Sequence, residues 1–84
     1  MNKIKEQDNL KSLLEERGTR YGIFKGHAEI TQNLKNSMSC REGWNNLSSS
    51  QKESLEMIAH KIGRILNGDP NYADSWIDIA GYAQ

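Results

Sequence analysis

The chain has 84 residues, and its eleven Lys and Arg residues balance eleven Asp and Glu residues, so the formal net charge is zero. This balance argues against nucleic-acid or membrane binding driven by bulk charge. The single cysteine, Cys40, excludes an intramolecular disulfide and a cysteine-rich zinc site. No apolar run approaches the roughly 18 residues of a membrane span, and the polar N terminus is unlike a signal peptide. We therefore expect one soluble domain over residues 1–84 in a reducing cytoplasm.

A chain of this length buries only a modest fraction of its surface when it folds. Hydrophobic residues make up 36% of the sequence, and there is no disulfide framework, so a monomeric core would be marginal. We therefore expect the protein to form a homo-oligomer.

The N-terminal half of the chain predicts two helices. Residues 1–9 are polar and are expected to fray. Three leucines over residues 10–14 predict a short helix that Gly18 ends, and a second, longer helix is predicted over residues 24–38. One side of the longer helix carries Phe24, His27, Ile30, Thr31, Leu34 and Met38.

The stretch 48–84 is the predicted core of the fold. Its first part repeats apolar residues with the 3.6-residue period of a helix that buries one face. Ser48 or Ser50 can cap the start of this helix, with Gln51 or Glu53 three residues later to complete a capping box. The apolar positions are Leu55, Ile58, Ala59, Ile62, Ile65 and Leu66.

A turn then separates this helix from a last one. Gly68 suits the left-handed position after a helix end, and Pro70 cannot continue the helix. Asn71 is a candidate cap for the next helix, with Asp74 in its first turn. The predicted apolar face of that helix consists of Tyr72, Ala73, Trp76, Ile77, Ala80 and Ala83. Two amphipathic helices joined so closely must pack antiparallel, so we expect an all-α fold of four helices: a small helical bundle built on this C-terminal hairpin.

Four charged residues share one polar face of the long helix at spacings of three and four. In a functional interpretation, Glu53 and Glu56 offer carboxylates to a metal, His60 serves acid–base chemistry and Arg64 binds an anion. The alternative is a solvated face whose residues interact only as neighbours one turn apart.

A second candidate site surrounds an aromatic residue in the N-terminal half. The basic residues Arg17, Arg20, Lys25 and His27 surround Tyr21 and Gly22. A phosphate could bind these basic groups while a base stacks on the tyrosine ring. The alternative is an ordinary polar loop. His27 lies on the apolar side of its helix, where we expect a partly buried histidine with its hydrogen bonds satisfied.

Two glycines, Gly63 and Gly81, lie inside helical patterns, where each costs about 1 kcal/mol relative to alanine. We expect that they permit close packing of neighbouring helices.

Asp74 and Asp78 lie one turn apart and follow a Glu53-x-x-Glu56 pair. This acidic pattern resembles that of the MazG-like all-α nucleoside triphosphate pyrophosphatases, which use carboxylates from two adjacent helices to hold magnesium. The family has a double Glu where this chain has one, and a Glu-x-x-Asp motif where this chain has aspartates four apart. At 100° per residue, both aspartates are also expected to point opposite the Trp76 stripe, away from the partner helix.

Three stretches, over residues 20–22, 59–70 and 74–83, form the signature RYG…HKIGRILNGDP…DSW-DIAGYA. In this signature the chain resembles small proteins encoded by tailed phages and prophages. The resemblance implies a viral origin and expression in the cytoplasm of a bacterial host, and it implies no reaction.

Two functional hypotheses follow, and the first is favoured. It is a non-enzymatic, oligomeric phage protein without a cofactor that binds a nucleotide-like ligand or a host factor, with a role against host defence. The alternative is a magnesium-dependent, MazG-like nucleoside triphosphate pyrophosphatase. A protein-binding inhibitor that uses its apolar surface is a third possibility. The ligand-binding residues of the first hypothesis are Arg20, Tyr21, Lys25, His60 and Arg64. The metal ligands of the alternative are Glu53, Glu56, Asp74 and Asp78.

Overall fold

The computed structural model of the chain describes Leu10 and residues 21–84. In this part of the chain there are three α-helices and no strand, which confirms the all-α prediction. The helices are α1 (Phe24–Ser39), α2 (Ser49–Asn67) and α3 (Ala73–Ala83), with a 3₁₀ helix at Glu42–Asn46 between α1 and α2. Leu10 is helical and exposed, and the rest of the predicted short N-terminal helix lies outside the described residues.

The start of α2 is fixed by a capping box. The Ser48 hydroxyl accepts a hydrogen bond from the backbone N–H of Gln51 at 3.1 Å, and the Gln51 side chain accepts one from the Ser48 N–H at 2.8 Å. Two backbone donors that the first turn leaves without intrahelical partners are thereby satisfied. The prediction of a cap at Ser48 with Gln51 is confirmed.

The end of α2 differs from the prediction. Gly68 donates its N–H to the carbonyl of Arg64 at 3.0 Å, but its φ of −132° and ψ of −138° are not left-handed. The expected left-handed glycine at this position is therefore wrong. Among the described glycines, Gly22, just before α1, is the one with a positive φ, at 75°.

The connection between α2 and α3 is held by local hydrogen bonds. The Asp69 carboxylate accepts from the N–H of Asn71 at 2.9 Å, and the Trp76 indole donates to the carbonyl of Pro70 at 2.7 Å. Asn71 is not the cap of α3, because the helix begins two residues later and Tyr72 occupies the cap position without a side-chain cap bond.

The long helix α2 is the central element, since both other helices pack against it. Gly63 lies under Thr31 and His27 of α1, whereas Lys61 bonds to Asp78 of α3. At 100° per residue, Gly63 and Lys61 are about 160° apart around α2. The two neighbours of α2 therefore lie on nearly opposite sides of it.

The packed core within the described residues is small. Its buried hydrophobic side chains are Ala59 and Ile65, and no large side chain there is fully buried. The remaining buried residues are polar or charged: His27, Thr31, Lys61 and Ser75. The buried residues of this part of the chain therefore include more polar or charged side chains than hydrophobic ones.

The predicted apolar face of α3 does not face α2, and this expectation is wrong. Trp76 is 55% exposed and Ile77 is 63% exposed, and Ala73, Ala80 and Ala83 are also exposed. The helix instead turns Ser75, Asp78 and Ile79 inward, with Ser75 only 4% exposed. On this inward side, Asp78 forms an ion pair with Lys61 of α2 at 2.9 Å.

Candidate functional site

Two histidines from different helices meet at the contact between α1 and α2. The Nε2 atom of His27 lies 3.2 Å from Nδ1 of His60, and the rings are nearly perpendicular, with centroids 4.5 Å apart. His27 is only 5% exposed. The distance fits one N–H···N hydrogen bond, in which one ring donates and the other accepts.

Beside this pair lie two buried polar atoms without a hydrogen-bond partner, Nδ1 of His27 and Oγ1 of Thr31. Both border Gly63, where an added Cβ would contact Thr31 Oγ1 and would lie 3.0 Å from His27 Nδ1. The expectation that Gly63 permits close helix packing is confirmed. The expectation that His27 is partly buried with its hydrogen bonds satisfied holds for one ring nitrogen only.

The pKa of His60 is lowered to about 4, mainly by burial and then, in decreasing order, by the neighbouring His27, Arg64, Lys61 and Lys35. Burial also lowers the pKa of His27, while the backbone of Gly63 acts in the opposite direction. Both imidazoles are therefore neutral at pH 7. Whether His60 contacts a ligand or serves acid–base chemistry stays a prediction.

The predicted aromatic and basic residues come together in part. The guanidinium of Arg64 lies 4.4 Å from the ring centroid of Tyr21, a cation–π contact, and the Tyr21 ring packs edge-on against Tyr72 at 5.9 Å. Among the described residues, no carboxylate forms a salt bridge with Arg64. We call Tyr21, Arg64 and Tyr72 the aromatic–arginine cluster.

The other predicted ligand residues do not join this cluster. Arg20 lies outside the described residues. Lys25 is exposed, lies 4.0 Å from Glu29 on the same helix, and borders a shallow groove with Gly22 and Asn67. On α1, Lys25 is also about 160° away from His27, which faces α2.

Asn67 holds the start of α1 to the end of α2. Its side-chain amide donates to the carbonyls of Tyr21 at 2.9 Å and Ile23 at 2.7 Å. Side chains at Gly22 or Gly26 would collide with Asn67, so both glycines are required by this close approach. The positive φ of Gly22 adds a conformational requirement for glycine.

The four carboxylates proposed as metal ligands are not gathered within one chain. Asp78 bonds to Lys61, and Glu56 lies 3.8 Å from Lys35. Asp74 accepts a hydrogen bond from the Tyr72 hydroxyl at 2.9 Å, and Glu53 is exposed. In the described part of the chain, no three His, Cys, Asp or Glu side chains lie close enough together to hold a metal ion. The expectation that Asp78 points away from the partner helix is wrong, because Lys61 of α2 draws it inward.

The outward side of α3 is the largest feature that sequence reasoning misassigned. We define the outer face of α3 as Ala73, Trp76, Ile77 and Ala80, which carry no charge and are exposed. In the sequence, the opposite charges of Lys61 and Asp78 were the feature that could have indicated that the side of α3 with Asp78 packs against α2. None of the helices in the described part of the chain has the length and apolar content needed to cross a membrane.

Comparison with known proteins gives no match to a family model, to a curated protein or to a solved structure.

Proposed function

We propose that this chain is a non-enzymatic binding protein that works as a homo-oligomer, and that its outer face of α3 forms the contact between copies. The observation that carries this proposal is the exposure of Trp76 and Ile77 on a helix that turns Ser75 towards the interior instead. A tryptophan and an isoleucine on one uncharged face are unusual on a surface that meets only water.

The building block in this proposal is the antiparallel hairpin of α2 and α3. Leu55 and Ile58 of α2 border the same groove as Tyr82 and Ala83 of α3, which supports this arrangement. With few buried apolar side chains of its own, the hairpin gains apolar burial from a partner that covers Trp76 and Ile77.

A second copy suits this face better than a charged partner does. The outer face of α3 has no charge, and the chain as a whole has a formal net charge of zero, so copies do not repel one another. The face also mixes two large residues with two alanines, so that Trp76 and Ile77 of one copy can pack over Ala73 and Ala80 of another.

The contact of these side chains alone gives at most a weak, reversible assembly. Burying the exposed parts of Trp76 and Ile77 contributes about 1–2 kcal/mol each, and a symmetric pair counts both twice. The resulting gross gain of roughly 4–8 kcal/mol is comparable to the about 4–15 kcal/mol that association costs. We therefore expect an oligomer whose population depends on protein concentration.

Two matched substitutions test this surface. Ile77→Lys places a charge on the outer face of α3, and Ile23→Lys makes the same change at a residue that is 80% exposed and lies before α1. Light scattering after size-exclusion chromatography should show a smaller mass for Ile77→Lys and an unchanged mass for Ile23→Lys. Equal masses for both variants and the wild type would exclude the outer face of α3 as the contact.

A nucleotide-like ligand is the second candidate, and the aromatic–arginine cluster supports it. Arg64 offers a cation and Tyr21 an aromatic ring, the two groups that bind phosphate and base. Native mass spectrometry with nucleoside triphosphates and cyclic oligonucleotides should then show retention of one of them at fixed stoichiometry. Arg64→Gln should abolish that retention, whereas Lys25→Gln should not. If no panel member is retained, these nucleotides are excluded as ligands, and host proteins are the next candidates.

The role against a host defence, and the phage origin behind it, remain predictions from the sequence signature. The contacts within the signature explain many of its residues as structural: Gly63 packs under α1, Asn67 bonds to the start of α1, and Trp76 bonds to Pro70. The signature therefore supports a shared fold more directly than a shared ligand site.

A further inference from the structure

The histidine contact between α1 and α2 has chemistry that the proposed binding role does not use. His27 and His60 are the two histidines of the chain, and the structure brings them together from positions 33 residues apart. His27 is buried, and its second ring nitrogen has no hydrogen-bond partner. A titratable pair placed at a helix–helix contact couples the proton concentration to helix packing.

The surroundings of the pair are positive. Lys35 of α1 and Lys61 and Arg64 of α2 all lie near His60 and oppose its protonation. The carboxylates next to these groups are already engaged, since Glu56 pairs with Lys35 and Asp78 of α3 pairs with Lys61. The ring of Tyr21 lies against Arg64. An imidazolium at this contact therefore has no carboxylate of the described residues to stabilise it.

The hydrogen bond itself also limits protonation. A neutral imidazole has one donor nitrogen and one acceptor nitrogen, whereas an imidazolium has two donors. If both rings take up a proton from water, each facing nitrogen carries a hydrogen, and no acceptor remains across the 3.2 Å gap. Two positive rings would then face each other in a partly buried site, which is strongly unfavourable.

We propose that the His27–His60 contact is a pH-sensitive joint, and that protonation of the pair releases α1 from α2 while α2 and α3 stay packed. The contact between α2 and α3 contains no histidine, and the Lys61–Asp78 ion pair holds it. Besides the histidine pair, polar contacts between the described residues that join α1 and its N-terminal end to α2 include the hydrogen bonds of Asn67 and the partly exposed Lys35–Glu56 pair. The local opening of one helix is thus possible without global unfolding.

Burial lowers the pKa of both histidines, and that of His60 to about 4, so the release occurs as the pH falls below their ordinary value of 6.5. Above pH 6.5 both the folded and the unfolded chain hold neutral imidazoles, and the joint stays closed. Each proton taken up on opening makes the opening equilibrium rise by about tenfold per pH unit in this window.

Amide hydrogen exchange, corrected for intrinsic rates and measured at about pH 7.5 and about pH 5, tests the joint on the wild-type protein. Residues 24–39 should lose protection by about tenfold or more at the lower pH, while residues 73–83 should lose much less. Equal loss in both helices would overturn the proposal.

Two variants distinguish whether a histidine or a carboxylate causes the pH dependence of exchange in α1. His60→Gln keeps a side chain that can hydrogen-bond to His27 and should reduce the pH dependence of exchange in α1. Glu56→Gln removes the carboxylate one turn away and should leave that dependence in place. Because His60→Gln could fold poorly, an NMR titration of both histidine rings in the wild-type protein gives a separate test. Ordinary titration of both rings near pH 6.5 would overturn the proposal.

Discussion

Alanine at Gly63 and at Gly81 should have opposite effects on stability. Both glycines lie inside helices, so alanine gains about 1 kcal/mol of helix propensity at either position. At Gly81 an added Cβ meets nothing within 4 Å, and the gain is kept. At Gly63 the same atom collides with Thr31 Oγ1 and lies 3.0 Å from His27 Nδ1, so the side chains of α1 must shift.

The size of the difference follows from the cost of overpacking. Forcing one extra carbon into a packed contact costs about 1–3 kcal/mol. Since the propensity gain is common to both variants, Gly63→Ala should be less stable than Gly81→Ala by that amount. Relative to the wild type, Gly81→Ala should be more stable and Gly63→Ala equally or less stable.

Urea unfolding followed by circular dichroism measures these differences. All variants are compared at one protein concentration, because self-association would otherwise shift the apparent stability. Thr31→Ala, introduced into the wild type and into Gly63→Ala, removes one of the two colliding groups and should restore part of the loss. Equal stability of the two glycine variants would refute the close packing of α1 on Gly63.

Three further outcomes are expected from the contacts between and within helices. Asn67→Ala removes the hydrogen bonds to the carbonyls of Tyr21 and Ile23 and should lower the free energy of unfolding in urea by about 1–3 kcal/mol. An unchanged midpoint would mean that water replaces the amide. Ser48→Ala breaks the capping box of α2 and should lower the free energy of unfolding by about 1 kcal/mol, whereas no loss would show that the first turn is capped otherwise. Because the pKa of His60 is lowered to about 4, the free energy of unfolding of the wild type should decrease as the pH falls from 6.5 towards 4, by about 2 kcal/mol after allowance for solvent screening. His60→Gln should make the free energy of unfolding depend less on pH.

The helices themselves were largely predictable from local signals. The 3.6-residue period between Leu55 and Leu66 predicted α2, and Ser48 with Gln51 predicted its first turn. These features depend on residues close together in sequence. The side of α3 that faces α2 instead involves Lys61 and Asp78, which belong to different helices. Because the Trp76 stripe is larger and apolar, the sequence pattern predicted that this stripe would face α2, whereas it is exposed.

The candidate site was predictable only in part, for a similar reason. The sequence analysis placed Tyr21, Arg64 and Lys25 in one ligand site. Tyr21 and Arg64 do lie together, but Lys25 lies on a side of α1 that points away from them. The approach of His27 to His60 depends on how α1 lies on α2 and has no sequence signal beyond the placement of each residue on its helix. Gly63, against which α1 packs closely, was the sequence feature most closely connected with the contact between His27 and His60.

Sedimentation equilibrium of the wild-type protein at neutral pH, over a wide range of concentration, tests the central claim most directly. The chain has a mass of 9.6 kDa. Self-association through the outer face of α3 predicts a molar mass that rises with concentration to a fixed multiple of this value. A mass of one chain at every concentration would contradict the account, and Trp76 and Ile77 would then need a different partner.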